Sequence, residues 1–226
     1  MTATVLTGVS RGLGRELFAV LAARGDALLA IGRGFTDEQR RAADAEPDRI
    51  RLSTADLSVP EIPDLSGFVA AADGPLALVH NAGSVEPVGA VGTLDAARIT
   101  ATVHLNLLAP MLLTNALLAG AGDRPVRVVF VSSGAARRVI DGWATYCATK
   151  AGGEMFFDTV AEQYAGDPRV TVANVNPGVM DTDMQAVLRA STDVHFPARE
   201  HYAGLAERGE LPSPAGVARR IVADHL

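Results

Sequence analysis

The fold class that the sequence predicts is α/β, a single domain over residues 1–226 with a doubly wound parallel sheet. Three observations predict it. The 226-residue chain is 48% hydrophobic and 20% charged, which is enough apolar material for one sizeable core. Short β-rich runs alternate with helical patterns from the N-terminus onward. Several of these runs are apolar throughout, as expected of strands that helices cover on both faces of a sheet.

Six strands are predicted, over residues 4–8, 27–33, 50–56, 76–82, 126–132 and 170–176. Between the first two strands, 14–24 has apolar residues at a helical spacing, and Gly25 is typical of a C-terminal cap. A long apolar helix is predicted over 95–118, with a kink or a boundary at Pro110. Because strands and helices alternate, right-handed crossovers are expected.

The charge and the cysteine content exclude several classes of function. The formal net charge is −6, and no cluster of Lys and Arg is present, so nucleic acid is not an expected partner. Cys147 is the only cysteine, which excludes an intramolecular disulfide and a metal site built from thiolates alone. The sequence has neither a signal peptide nor an apolar stretch of about 18 residues. We therefore expect a cytoplasmic protein without a membrane segment.

A glycine-rich segment follows the first predicted strand and leads into a helix. Glycines in such a turn let the backbone approach a pyrophosphate, and the helix N-terminus offers unpaired N–H groups to it. The segment predicts a Rossmann-type dinucleotide site formed by Gly8, Ser10, Arg11, Gly12, Leu13 and Gly14. A tight turn that binds no ligand is the alternative.

The end of the second strand bears on the choice between NAD and NADP. Residues 31–34 contain no Asp or Glu that would receive a ribose 2′-hydroxyl. Arg33 instead joins Ser10 and Arg11 as a donor set for a 2′-phosphate. We therefore expect NADP(H) as the cofactor, and the alternative is that both arginines are solvated surface residues.

Polar residues also follow the third and fourth strands. Asp56 and Leu57 are expected to border the adenine, and Asn81, Ala82 and Gly83 follow the fourth strand. Asn81 either contacts the cofactor or is a turn residue that holds its own loop, and both roles remain open.

Tyr146 and Lys150 form the candidate catalytic pair. Residues four apart share one face of a helix, and a nearby ammonium lowers the pKa of a phenol, which makes Tyr146 a usable general acid. Ser133 follows the fifth strand, at the sheet edge where ligands bind, and its hydroxyl is expected to hydrogen-bond a substrate carbonyl oxygen. Taken singly, a tyrosine is more often a packing residue and a lysine a solvated one.

These motifs resemble, in order and spacing, those of the short-chain dehydrogenase/reductase family over residues 1–184. The resemblance implies a catalytic tetrad of Asn106, Ser133, Tyr146 and Lys150. Tyr146 would protonate the carbonyl oxygen, Ser133 would polarise it, and Lys150 would hold the ribose hydroxyls and tune Tyr146. Asn106 would support a water-mediated proton relay. The cofactor contacts that the resemblance implies are Tyr146, Lys150, Pro177, Gly178, Val179 and Thr182.

Within that family, residues 142–151 and 176–185 are similar to the sepiapterin and benzil (vicinal diketone) reductases. This implies NADPH-dependent reduction of a small-molecule ketone or vicinal dicarbonyl. Trp143 either walls the substrate pocket or packs at the entrance of a helix. The implied substrate loop covers 187–211, and its histidines, His195 and His201, receive no role.

The C-terminal segment departs from the family pattern. Residues 214–226 read as the last helix with nothing after it, so we expect six strands without the usual seventh. The resemblance places an acidic anchor for pterin in that C-terminal segment, and the sequence offers no counterpart. This favours a dicarbonyl or an aromatic ketone over a pterin.

Two other functions fit the same residues. One is an alcohol dehydrogenase that works in the oxidative direction, since the same groups serve both directions. The other is an NADP-binding sensor without turnover, which would not need Ser133, Tyr146 and Lys150. The resemblance also implies a homodimer that packs the helices 95–118 and 145–164.

Overall fold

The computed structural model describes residues 1–180 and 211–226, with a six-stranded sheet at its centre. The strands are β1 (Ala3–Thr7), β2 (Ala27–Gly32), β3 (Ile50–Thr54), β4 (Leu76–His80), β5 (Val126–Val131) and β6 (Val170–Val175). Their order is β3-β2-β1-β4-β5-β6, and every neighbouring pair is parallel. The predicted doubly wound α/β fold with six strands is confirmed for these residues.

The helices that cover the sheet are α1 (Gly12–Arg24), α2 (Asp37–Ala45), α3 (Ser66–Ala70), α4 (Ala96–Val103), α5 (Ala109–Gly120), α6 (Ala144–Gln163) and α7 (Pro214–His225). The helix α1 ends as predicted at Gly25, whose φ of 88° suits glycine. Its N–H bonds back to the carbonyls of Ala22 and Leu21.

The apolar core lies on both faces of the sheet. Consecutive residues of a strand point to opposite faces, so Val5 packs on one side and Leu6 on the other. The side of Val5 is covered by α3, α5 and α6, and the side of Leu6 by α1 and α7. This two-sided burial is the reason that the strands read as continuous apolar runs.

A single π-helical turn, His104–Leu108, interrupts the long helix between α4 and α5. Pro110 stands in the first turn of α5, where its missing N–H is tolerated. The boundary predicted near Pro110 is therefore present, and the turn before it contains Asn106. Such turns occur frequently at functional sites.

The expectation that no segment has the length and apolar character of a membrane span needs one correction. Residues 96–120 are long enough, and a window of 18 residues within them has a mean hydropathy of 1.4. Leu113 and Leu117 on this segment are fully buried in the core beneath the sheet. We therefore assign it to the core of the protein.

Candidate active site

An open cleft lies at the C-terminal ends of the strands, where parallel sheets bind their ligands. It contains every predicted site residue of the described chain except Asn106. These residues are Gly8, Ser10, Arg11, Gly12, Leu13, Gly14, Arg33, Asp56, Leu57, Asn81, Ala82, Gly83, Ser133, Tyr146, Lys150, Pro177, Gly178 and Val179. Thr182, His195 and His201 lie outside the described residues, as does the predicted substrate loop up to residue 210.

The glycine loop packs so tightly that no side chain would fit at Gly8 or Gly14. A Cβ on Gly14 would lie 1.9 Å from the carbonyl oxygen of Gly8. Gly8 itself has a φ of +73°, and a Cβ there would lie 2.6 Å from the Cα of Ala82. In the described chain no side chain caps the N-terminus of α1, and its first turn has no acidic residue. This end of the helix is therefore suited to an anion.

Asn81 braces the glycine loop from the neighbouring strand. Its Nδ2 donates to the carbonyl oxygens of Gly8 at 2.8 Å and of Thr7 at 3.3 Å. The Thr7 hydroxyl in turn accepts from the backbone N–H groups of Asn81 and Ala82, both at 3.1 Å. Asn81 thus holds the loop after β1, and it also lines the cleft, so a contact with the cofactor stays a prediction.

Arg33 and Asp56 follow β2 and β3 in the same cleft. The Asp56 carboxylate accepts bonds from the hydroxyl and the backbone N–H of Ser58, at 2.7 and 2.9 Å. These bonds lower the pKa of Asp56, and the charge of Arg33 lowers it further. Arg33 lines this cleft together with Ser10 and Arg11, which is the donor set predicted from the sequence.

Lys150 is buried and anchored to the sheet. Its Nζ donates to the carbonyl oxygen of Val131 at 2.7 Å and lies 5.9 Å from the ring centroid of Tyr146. The ring of Phe130 lies beneath the ammonium, with 4.7 Å from Nζ to its centroid. Burial lowers the pKa of Lys150 to about 8, against the opposing effect of the Glu154 charge.

Tyr146 stands in the first turn of α6, one turn before Lys150. The Trp143 ring packs edge-on against Tyr146, with 5.2 Å between centroids. Trp143 is only 4% exposed and also lines the cleft, so it packs at the helix entrance and borders the pocket at the same time. Both roles proposed for it from the sequence are compatible with this position.

The Ser133 hydroxyl caps a short 3₁₀ turn, Gly134–Ala136. It accepts from the backbone N–H of Ala135 at 3.1 Å. A hydroxyl that accepts keeps its proton for another acceptor. Ser133 can therefore donate to a ligand in the cleft.

Asn106 lies behind the cleft wall rather than in it. Its Oδ1 accepts from the Ser84 N–H at 2.9 Å, while Nδ2 donates to the Ser84 carbonyl at 2.8 Å and to Thr149 Oγ1 at 3.1 Å. A Cβ on Gly83 would lie 3.4 Å from Asn106 Oδ1 and 3.8 Å from Lys150 Nζ. Asn106 therefore connects the loop after β4 with α6, directly behind the candidate catalytic pair.

His80 is a buried residue that the sequence analysis did not assign. It hydrogen-bonds Thr114 at 2.8 Å, and its ring lies 5.3 Å from that of Phe157. Burial, and to a lesser degree the charge of Lys150, lowers the pKa of His80 to about 3, so the ring is neutral near pH 7. The only sign of His80 in the sequence was its position as a lone polar residue at the end of an apolar strand.

Other residues of the cleft wall were also missed. Except for Leu105, which lies in the π-helical turn, they share positions in or beside the loops that follow the strands. They are Ile31, Gly32, Ala55, Leu105, Val131, Ser132, Gly134, Ala135, Arg138, Asn176 and Met180.

The fold and this cleft are those of a nucleotide-dependent oxidoreductase, and comparison with known proteins identifies the family. Residues 2–193 match the short chain dehydrogenase family, and the chain belongs to that family. It is 32% identical to the benzil reductase ((S)-benzoin forming) of Bacillus cereus, over 98% of this chain and 92% of that protein. It is 36% identical to the sepiapterin reductase of Xenopus tropicalis, over 83% and 77%.

Solved structures agree with this membership. A short-chain dehydrogenase/reductase from Saccharomyces cerevisiae superposes with a TM-score of 0.82 and 26% identity, over 95% of this chain and 86% of that chain. The family resemblance inferred from the sequence, with its similarity to the benzil and sepiapterin reductases, is confirmed.

Proposed function

We propose that this protein is an NADPH-dependent carbonyl reductase that converts a ketone or vicinal dicarbonyl into an alcohol, with residues 1–226 as one catalytic domain. The observation that carries the proposal is the anchored, buried Lys150 one helical turn from Tyr146, in the cleft that Ser133 also lines. Relatives named as reductases of benzil and of sepiapterin support the reaction class.

The shape of the glycine loop fits a dinucleotide. Side chains at Gly8 and Gly14 would fill the loop, and the uncapped end of α1 adjoins it. We propose that Gly8, Gly12, Leu13 and Gly14 hold the pyrophosphate. The remaining proposed contacts are Ser10, Arg11 and Arg33 to the 2′-phosphate, Asp56 and Leu57 to the adenine, and Ala82, Gly83, Pro177, Gly178, Val179 and Thr182 elsewhere along the cofactor.

The side chains of the cleft divide the chemistry among them. The nicotinamide, when bound, supplies the hydride that reduces the carbonyl carbon. Ser133 donates to the carbonyl oxygen and polarises it. Tyr146 gives its phenolic proton to that oxygen as negative charge develops there. The ammonium of Lys150 stabilises the phenolate that remains, because an adjacent cation favours the charged form of a phenol.

We propose that Asn106 supports proton supply from behind the cleft wall. Its side chain is hydrogen-bonded to Ser84 and Thr149, so the group that we propose to act is its backbone carbonyl. Because Pro110 has no N–H, the Asn106 carbonyl lacks the partner that a regular α-helix would give it. This favours a bound water at that carbonyl, from which protons reach Lys150 and Tyr146.

Oxidation of an alcohol would use the same groups in reverse. The cytoplasmic location and the homodimer formed through α4, α5 and α6 stay predictions.

The test is NADPH consumption by the purified protein with benzil and with sepiapterin, repeated with NADH. The proposal predicts turnover of at least one of these ketones with NADPH and much slower turnover with NADH. Tight NADPH binding without turnover of any carbonyl compound would instead favour the sensor function.

A further inference from the structure

The carboxylate of Glu154 joins the two ends of the turn that follows β5. Its Oε1 accepts from the Ser132 hydroxyl at 2.6 Å, and its Oε2 accepts from Arg137 Nε at 2.8 Å. Ser132 directly precedes Ser133, and Arg137 directly follows the 3₁₀ turn that Ser133 caps. One side chain therefore holds the short segment that carries Ser133 at both of its ends.

Glu154 also belongs to the helix face that carries the catalytic pair. It follows Lys150 by four residues and Tyr146 by eight, so the three side chains lie on one side of α6. The Glu154 side chain is only 12% exposed, which makes its bonds less screened by water than those of a surface ion pair. From β6, Asn174 donates to the Glu154 backbone carbonyl at 3.2 Å and fixes this turn of the helix to the sheet.

We infer that Glu154 is a positioning residue, which locks the Ser133 turn onto the helix of Tyr146 and Lys150. Its kinetic consequence rests on the proposed function, whereas its structural consequence does not. The carboxylate is bonded by Ser132 and Arg137, and from one turn further along the same helix face its charge favours the ammonium of Lys150. Asn174 donates to the Glu154 backbone carbonyl and to the Asp158 carboxylate, and the charge of Asp158 acts on Arg137.

The kinetic test compares Glu154→Ala with Glu162→Gln, which removes an exposed carboxylate two turns further along α6. We expect kcat for the ketone to fall at least about tenfold in Glu154→Ala, with less than about a twofold change in NADPH affinity. Glu162→Gln should keep the wild-type kcat. An unchanged kcat in Glu154→Ala would overturn the inference.

A double-mutant cycle separates positioning from a general loss of structure. Ser133→Ala should lower kcat much less in the Glu154→Ala background than in the wild type, because Ser133 is already displaced there. If the fold-losses of kcat in the two single variants multiply to give the loss in the double variant, Glu154 does not act through Ser133. If Glu154→Ala fails to fold, Ser132→Ala and Arg137→Ala, each of which removes one contact, replace it in the same cycle.

The charge of Glu154 is tested with Glu154→Gln, which keeps the shape of the side chain. Loss of the anion disfavours the Lys150 ammonium and favours the Tyr146 phenolate. The high-pH limb of kcat should therefore move to lower pH, by about half a unit or more. A limb that stays in place would refute the electrostatic part of the inference.

Hydrogen exchange tests the clamp without any substrate. Amide exchange across residues 133–137 should be faster by about tenfold in Glu154→Ala and unchanged in Glu162→Gln. Equal exchange in all three proteins would overturn the clamp. Faster exchange in a protein that reduces no ketone would uphold the clamp while refuting the proposed function.

Discussion

The ammonium nitrogen of Lys150 lies 2.7 Å from the carbonyl oxygen of Val131, the last residue of β5. The two residues that follow Val131 are Ser132 and Ser133, so one strand end fixes the position of the lysine and of the serine turn. The lysine is held by a carbonyl dipole rather than by direct contact with a carboxylate. Burial is therefore the largest influence on its charge, and it lowers the pKa of Lys150 from 10.5 to about 8.

The lowered pKa of Lys150 predicts that stability rises in alkaline solution. Its pKa is about 8 in the fold and 10.5 in its ordinary state. Between these values the unfolded chain keeps a proton that the folded chain has released, so the free energy of unfolding rises with pH across this window. Below the window the lysine is charged in both states, and the full cost of burying the cation lowers the stability. Between about pH 7 and pH 10, Lys150 should add about 2 to 3 kcal/mol to the unfolding free energy of the wild type, and Lys150→Met should lack this increase. Urea unfolding at both values measures this, and parallel pH dependences would contradict it.

His80 predicts a pH dependence of the same sign at lower pH. Its pKa falls from 6.5 to about 3 on burial, so below pH 6.5 the unfolded chain takes up a proton that the folded chain refuses. Stability is therefore lost as the pH falls from 6.5 towards 3. On going from about pH 7 to pH 5, His80→Asn should lose about 2 kcal/mol less unfolding free energy than wild type does. An equal loss in both proteins, measured by urea unfolding, would show that His80 is not the group responsible.

Gly14→Ala should abolish cofactor binding, because the new methyl group would meet the Gly8 carbonyl oxygen at 1.9 Å and displace the glycine loop. The matched control is Gly67→Ala in α3, where a Cβ has nothing within 4 Å. The control should bind NADPH normally and gain up to about 1 kcal/mol of stability. Fluorescence titration with NADPH compares the two, and normal binding by Gly14→Ala would contradict the role given to the loop.

Arg33→Ala should separate the two dinucleotides. Loss of a charge-assisted contact to the 2′-phosphate is expected to weaken NADPH binding by about 10- to 100-fold and to leave NADH binding unchanged. Arg15→Ala, on the exposed side of α1 where Arg15 pairs with Glu16, is the control for net charge. Equal weakening of both dinucleotides by Arg33→Ala would exclude a specific 2′-phosphate contact.

The fold could be predicted from the sequence because strands buried on both faces leave continuous apolar runs. Each predicted strand was one or two residues too long at its C-terminal end, as with 50–56 against Ile50–Thr54. The extra residues, such as Arg33, Ser132 and Asn176, belong to the loops that line the cleft. The helix α2 was not predicted, although Thr36 and Gln39 form a capping box at its start.

The site was predictable wherever its residues follow a strand or repeat at a helical spacing, as Tyr146 and Lys150 do. Contacts distant in sequence were not. Glu154 reads as an ordinary solvated helix residue, and its bond to Ser132 spans 22 positions. The brace between Asn81 and the Gly8 carbonyl spans 73 positions, and no local pattern distinguishes it from a simple turn.

The central claim is that Tyr146 donates the proton to a substrate carbonyl. The most direct test is the rate of NADPH oxidation with benzil by wild type and by Tyr146→Phe, with NADPH affinity measured for both proteins. We predict that the variant loses at least about 100-fold in kcat while its NADPH affinity stays within about threefold of wild type. A variant that keeps kcat within about tenfold of wild type would contradict the assignment of Tyr146 as the proton donor.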